Sequence, residues 1–126
     1  MKGFLNKLAT LSRSYIILPV HNKSGLIEYV LEGIKNSFYR PYKLFVIFDG
    51  CTDDSEEKAR NYVHLNKMQE VVFSHLPDVH EVTSINYGLL QTRLSNPNDD
   101  DYVFTIQDDV ILQEENIESH FDILYN

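Results

Sequence analysis

Two aspartates stand side by side at the end of an apolar run. Tyr102 to Leu112 reads Y-V-F-T-I-Q-D-D-V-I-L. Its first part, Tyr102 to Ile106, is apolar, β-branched or aromatic, as in a buried strand. The run stops at Gln107, Asp108 and Asp109. Adjacent carboxylates at the tip of a core strand repel each other, and burial disfavours their ionised form. A divalent cation removes that cost, and hard oxygen ligands suit Mg²⁺ or Mn²⁺. The chemistry expected is a metal held at the strand end and phosphate held by the metal. An isolated Asp-Asp pair also describes a strand that ends in solvated acids, so other elements have to bring more groups to the same place.

The elements follow from the apolar pattern. Tyr15 to Val20, Y-I-I-L-P-V, reads as a strand covered on both faces. Pro19 has no N–H to give to a ladder, so the strand is expected to end there. Asn22 or Ser24 is a candidate cap for the next helix. That helix carries Leu26, Ile27, Val30, Leu31 and Ile34 at helical spacing, with Glu28, Glu32 and Lys35 turned outward. Pro41 stops it. Leu44 to Phe48 is a second buried strand. It runs into Asp49-Gly50-Cys51-Thr52-Asp53-Asp54-Ser55, a turn followed by helix-start residues, where Asp53 and Glu56 have capping-box spacing. Ala59, Tyr62 and Val63 form a weak apolar stripe on the helix that follows.

Val71 to Phe73 is a short third strand, broken by Pro77 and Asp78. Val82, Ile85, Leu89, Leu90 and Leu94 trace a third amphipathic helix. Ser95 to Asp101 is a polar loop, and the carboxylate-tipped strand comes next. Ile117, Phe121 and Leu124 mark a last helix face, with Glu114 and Glu115 near its start. This β-α-β-α-β-α-β-α order predicts an α/β fold: an open, mostly parallel Rossmann-like sheet with helices on both faces. In such sheets ligands bind beyond the carboxyl ends of the strands, where strand order reverses. Three loops are then expected at one mouth: Val20-His21-Asn22, Asp49-Gly50 and Gln107-Asp108-Asp109. The loop near His75 to His80 is expected further out.

Composition narrows the partners. The 126 residues fit one domain with a real core. A net charge of −8 argues against a nucleic-acid backbone, which calls for a basic face. The single cysteine, Cys51, has no internal partner for a disulfide, and no Cys/His zinc spacing occurs, so a cytoplasmic location is the expectation. No apolar stretch has signal-peptide or transmembrane length. Residues 1–14 read as a leader. Phe4, Leu5, Leu8 and Leu11 share a helical face in it, and the reading is of a segment packed on the domain, with a membrane-surface helix as the alternative.

Four pieces together resemble a family-2 glycosyltransferase of the GT-A fold: P-V-H-N at 19–22, F-D-G-C-T-D-D-S at 48–55, N-Y-G at 86–88 and Y-V-F-T-I-Q-D-D at 102–109. The correspondence runs over residues 15–126, and D-G-x-T-D-x-S is its most specific part. The resemblance implies a nucleotide-diphospho-sugar donor and an acceptor that is a glycan, a lipid or a protein. It implies that Pro19, Val20, His21 and Asn22 line the nucleotide pocket and that Asp49 bonds the base or ribose. Asp108 would lie near the ribose, and Asp109 would bind Mn²⁺ or Mg²⁺ on the diphosphate. Transfer would invert the anomeric centre.

The sequence departs from that pattern at named places. Phe48 stands where the family often has the first of two acids, Gln107 where its metal motif often begins with Asp, and Ile85 where an Arg often precedes N-x-G. Asp109 is therefore the surer ligand. Members of the family continue past the metal strand into acceptor-binding elements and a catalytic base. The expectation is thus the nucleotide-sugar half of a longer enzyme, with its catalytic residue unknown. The alternative is an inactive nucleotide- and metal-binding module. A receiver domain would carry its acidic pair after the first strand, and a P-loop enzyme would show G-x-x-x-x-G-K; neither pattern is present.

Overall fold

The computed structural model describes residues 12–113 and 116–119. Strands β1 (Ser14–Val20), β2 (Tyr42–Asp49), β3 (Val71–Leu76) and β4 (Tyr102–Thr105) alternate with helices α1 (Ile27–Ser37), α2 (Ser55–Leu65) and α3 (His80–Leu94). The sheet order is β3-β2-β1-β4 and every pairing is parallel. The chain steps from β1 to β2 to β3, then returns to place β4 on the other side of β1. Strand order therefore reverses between β1 and β4. This is the expected Rossmann-like α/β sheet.

The two sheet faces are built from alternate residues of the same strands. Ile16, Leu18 and Val20 of β1 pack with Val30 and Ile34 of α1 and Ala59 of α2. Tyr15 and Ile17 point the other way, with Phe45 and Ile47 of β2 and Tyr87 of α3. All seven β1 residues are buried. Each large aliphatic side chain removed from water in this way contributes about 1.5–3 kcal/mol, so β1 is the axis of the core.

Pro19 does not end β1. It pairs in register with Ile47, and Val20 with Phe48. The reason lies in which side its nitrogen faces. The carbonyls of Arg13 and Ile17 accept from Tyr102 and Ile106 on the β4 side, whereas the N–H of Ser14 turns toward Pro41 before β2. Alternation turns Pro19 to the β4 side as well. The pairing with β4 stops at Ile17 and Thr105, so no ladder bond is lost there.

Helix α3 inverts the expected stripe. Val82, Leu89, Leu90 and Leu94 are exposed, while Ser84, Gly88 and Thr92 are buried against the sheet. The cause is close approach. A Cβ on Gly88 would lie 2.5 Å from Ile17 Cγ2 and 3.1 Å from Ile47 Cδ1. Thr92 satisfies its hydroxyl by donating to the Gly88 carbonyl at 2.9 Å. Small residues thus let the helix sit down on large β-strand side chains.

Other expectations also shift. β4 alternates between half-buried and exposed residues, as an edge strand does, instead of being covered throughout. β3 runs three residues past Phe73, through Leu76, paired with β2. Neither Asn22 nor Ser24 caps α1. Leu26 holds the cap position without a side-chain bond, and the Lys23 carbonyl accepts from the N–H groups of Leu26 and Ile27. Leu26 itself is exposed. Only Ile117–Ser119 of the last expected helix is described, and Glu114, Glu115, Phe121 and Leu124 lie outside the described residues, as does the leader face from Phe4 to Leu11. No helix among the described residues is long and apolar enough to cross a membrane.

Candidate active site

The β1 loop and the β2 loop are tied together before any ligand is considered. Asn22 takes a left-handed backbone, φ +46°, which asparagine tolerates. Its Oδ1 accepts from the N–H of Thr52 at 2.8 Å and of Asp53 at 3.2 Å, and its Nδ2 donates to Thr52 Oγ1. In return, Lys23 N–H donates to Ser55 Oγ at 2.7 Å and Ser24 N–H to Asp53 Oδ2 at 3.2 Å. Cys51 Sγ donates to the Val20 carbonyl. Asn22 thus spends its amide inside the scaffold.

Asp53 serves the same scaffold. Its Oδ1 accepts from the N–H and the hydroxyl of Ser55 at the start of α2. The reciprocal half of the capping box is not made. Glu56 pairs with Arg60 and His75, and the Asp53 N–H goes to Asn22. Burial works to raise the Asp53 pKa, but the bonds from Ser55 and Ser24 outweigh it and hold the carboxyl below its ordinary range. Burial pushes the Cys51 thiol up; the Asn22 N–H opposes this, and the charges of Asp53, Glu56 and Asp108 add to it. Cys51 is a protonated donor, not an activated nucleophile.

The β4 tip is joined to this pair of loops. Asp108 Oδ2 accepts the His21 N–H at 2.8 Å, and Lys23 Nζ lies 4.0 Å from the same oxygen. The His21 ring reaches β2, its Nδ1 lying 2.6 Å from the Asp49 carbonyl. A carbonyl only accepts, so Nδ1 carries the proton and Nε2 is left for other partners.

Asp49, buried at the end of β2, draws in a fourth loop. Its Oδ1 accepts the Val79 N–H at 2.8 Å. Gly50, at φ +58°, gives the approach room, because a Cβ there would meet Asp78 Cβ at 2.7 Å. The loop after β3 therefore does not lie further out. It turns Asp78, His80 and Glu81 into the same cleft. His80 does so with a strained left-handed backbone, φ +73°.

The cleft encloses about 460 Å³, within the range of small-ligand sites. Pro19, Val20, His21 and Lys23 line it from β1, Asp49 from β2, and Gln107, Asp108 and Asp109 from β4. Of the residues expected at the mouth, Asn22 and Gly50 are not on the lining. Lys23, Asp78, His80 and Glu81 are additions. Lys23 adjoins the P-V-H-N motif and could have been taken with it. The β3 loop residues carried no signal, because their approach depends on the Asp49–Val79 bond and on Gly50.

Five acids face this cleft against one lysine, so a phosphate entering it is repelled unless a cation comes with it. Among the described residues, no group of three or more His, Cys, Asp or Glu side chains is placed to hold a metal ion by itself. A polar cleft at the reversal of strand order is where open α/β sheets bind their ligands.

The family model for glycosyl transferase family 2 matches residues 15–126, and the chain belongs to that family. Comparison with curated proteins found no match. Membership places the chain among the glycosyltransferases, which use a nucleotide-sugar donor and an acceptor.

Proposed function

We propose that the cleft binds a nucleoside-diphospho-sugar together with Mn²⁺ or Mg²⁺ and presents its sugar for transfer to an acceptor hydroxyl. The observation that carries this reading is the convergence of Pro19–His21, Asp49 and Asp108–Asp109 on one cleft at the reversal of strand order. The donor set suits the metal. Mg²⁺-type sites use one or two carboxylates, several waters and substrate phosphates, not a full protein cage. Asp109 is the carboxylate assigned to that ion. When bound, the ion supplies charge stabilisation to the departing diphosphate.

The other roles follow from position. Asp49 keeps one oxygen on Val79, which fixes the carboxylate so that its other oxygen can accept from a base N–H or a ribose hydroxyl. Asp108, held by the His21 N–H, stands between β1 and β4 for the ribose. Pro19, Val20 and His21 form the floor of the nucleotide pocket, and Asn22 keeps that floor in place. The acid that would deprotonate the acceptor is not assigned. Transfer with inversion remains the mechanism that the family resemblance implies.

Calorimetry with a panel of nucleoside diphosphates, with and without Mn²⁺, tests the reading. Saturable binding that needs the metal is expected. Binding of equal strength with and without metal would remove the proposed role of the acidic tip.

A further inference from the structure

We propose that His80 recognises the donor's nucleobase by offering its imidazole face for stacking. This deepens the reading of the cleft as a nucleoside-diphosphate site and rests on it. The juxtaposition that carries it is that of His80 with Asp49. Asp49 Oδ1 accepts the Val79 N–H at 2.8 Å, and His80 is the next residue, lining the same cleft. His80 thus stands beside the carboxylate whose other oxygen is assigned to the base or ribose.

The backbone and the ring agree on a role outside the fold. His80 has φ +73°, a left-handed conformation that is uncommon outside glycine. Glycine adopts it freely, so a ring side chain held there, at a cleft, points to a use for the ring. The fold itself does not use it. His80 is exposed, and among the described residues its ring makes no hydrogen bond or ion pair. His21, by contrast, is tied to the Asp49 carbonyl, and His75 to Glu56. The mounting of His80 is firm. It is the first residue of α3, which Gly88 seats closely on Ile17 and Ile47.

Charge decides which part of the donor meets this ring. Asp78 and Glu81 line the cleft on either side of His80 in the chain. The lining lysine, Lys23, is at the β4 tip, 4.0 Å from Asp108. Phosphate is drawn toward Lys23 and toward a metal at Asp109, and is repelled by the acids around His80. An uncharged, flat group with N–H donors suits the His80 side, and in a nucleotide that group is the base. Two flat rings stack with little regard to which base is present. Selection among bases then falls to Asp49, which accepts from an N–H on the base edge.

Calorimetry in Mn²⁺ with UDP, GDP and inorganic pyrophosphate tests the assignment. His80→Gly removes the ring and the strain together. Affinity for UDP or GDP should fall by about 5- to 30-fold, the effect of losing one stacking ring. Pyrophosphate affinity should hold, and Tm should not fall. His80→Phe keeps a flat ring and should bind the nucleotides about as the unsubstituted chain does. His80→Asn tolerates the left-handed backbone and can hydrogen-bond but cannot stack, so it should lose as much as His80→Gly. Rescue by Asn and not by Phe would overturn stacking. An equal loss for pyrophosphate would place the ring at the phosphates and overturn the proposal. Unchanged nucleotide affinity in His80→Gly would overturn it too, while Mn²⁺-dependent binding by the unsubstituted chain would leave the reading of the cleft standing. Absence of that binding would remove both.

Discussion

His21 and Asp108 are 87 residues apart, and the backbone N–H of the first donates to Oδ2 of the second at 2.8 Å. This bond spans β1 and β4 at the point where strand order reverses, so it sets the width of the cleft. Removing the acceptor leaves an N–H without its partner and frees the β4 tip. Asp108→Ala is expected to weaken nucleoside diphosphate binding by about 1.5–3 kcal/mol. Asp108→Asn keeps an acceptor oxygen and should lose less. Isothermal titration of the two variants gives the comparison, and equal losses would show that the charge alone matters.

Asp109 lines the cleft beside Asp108, without the tie to His21. Asp109→Ala should abolish the Mn²⁺-dependent part of nucleotide affinity and leave the far-ultraviolet circular dichroism unchanged. Retained metal dependence would move the ion to another carboxylate.

Asp49 combines a structural bond with a free acceptor. Asp49→Ala should cost about 1–3 kcal/mol of nucleoside diphosphate affinity, roughly 5- to 150-fold. Inorganic pyrophosphate affinity should hold, because pyrophosphate has no base or ribose. Equal weakening of both ligands would place Asp49 at the metal. The Val79 amide, having lost its acceptor, should exchange hydrogen faster in the same variant.

Gly88 tests the seating of α3. Gly88→Val inserts carbon into a space where even a Cβ would approach Ile17 Cγ2 to 2.5 Å. Destabilisation of about 1–3 kcal/mol is expected from overpacking, measured by urea unfolding, with Gly88→Ala affected less. Leu90→Ser, on the opposite side of the helix, gives no such clash.

Asp53 predicts an acid limb of stability. Its folded pKa lies below the unfolded value, since the bonds from Ser55 and Ser24 outweigh burial. Such a group contributes stability above its unfolded pKa, and the contribution is lost as pH falls through the folded one. Stability should therefore decline as pH drops below about 4. Asp53→Asn keeps an acceptor but has no charge to lose, so its unfolding midpoint should vary less over that window. An unchanged acid limb would assign it to other carboxylates, Glu56 first, which hydrogen bonds from His75 and Arg60 also hold low against the opposing effect of burial.

What could be read from the chain depended on the range of the interaction. Tyr15–Val20 and Leu44–Phe48 were legible as strands because each is apolar at nearly every position, and their order fixed the site at the strand ends. The roles inside the site were less legible. Asn22 looked like a ligand contact because motif and loop position suggested it, yet its amide closes a bond network with residues 52 and 53. Helix α3 was visible as a helix, but its orientation was not. Apolar periodicity picks out the large residues, and here the small ones, Ser84, Gly88 and Thr92, face the sheet. The approach of Asp78 to Gly50 is a contact between distant loops that local patterns do not encode.

Pro19 has a consequence for what stays out of the cleft. Beyond the bond from Ile106 to the Ile17 carbonyl, the ladder between β1 and β4 stops, and open strand edges recruit extended peptide from other chains. A proline at that place deprives an intruding strand of the first donor it would need. The His21 N–H, next in line on the same side, is already committed to Asp108. Pro19 and the committed His21 N–H thus offer no backbone donor at the mouth, while the cleft stays open to small polar molecules.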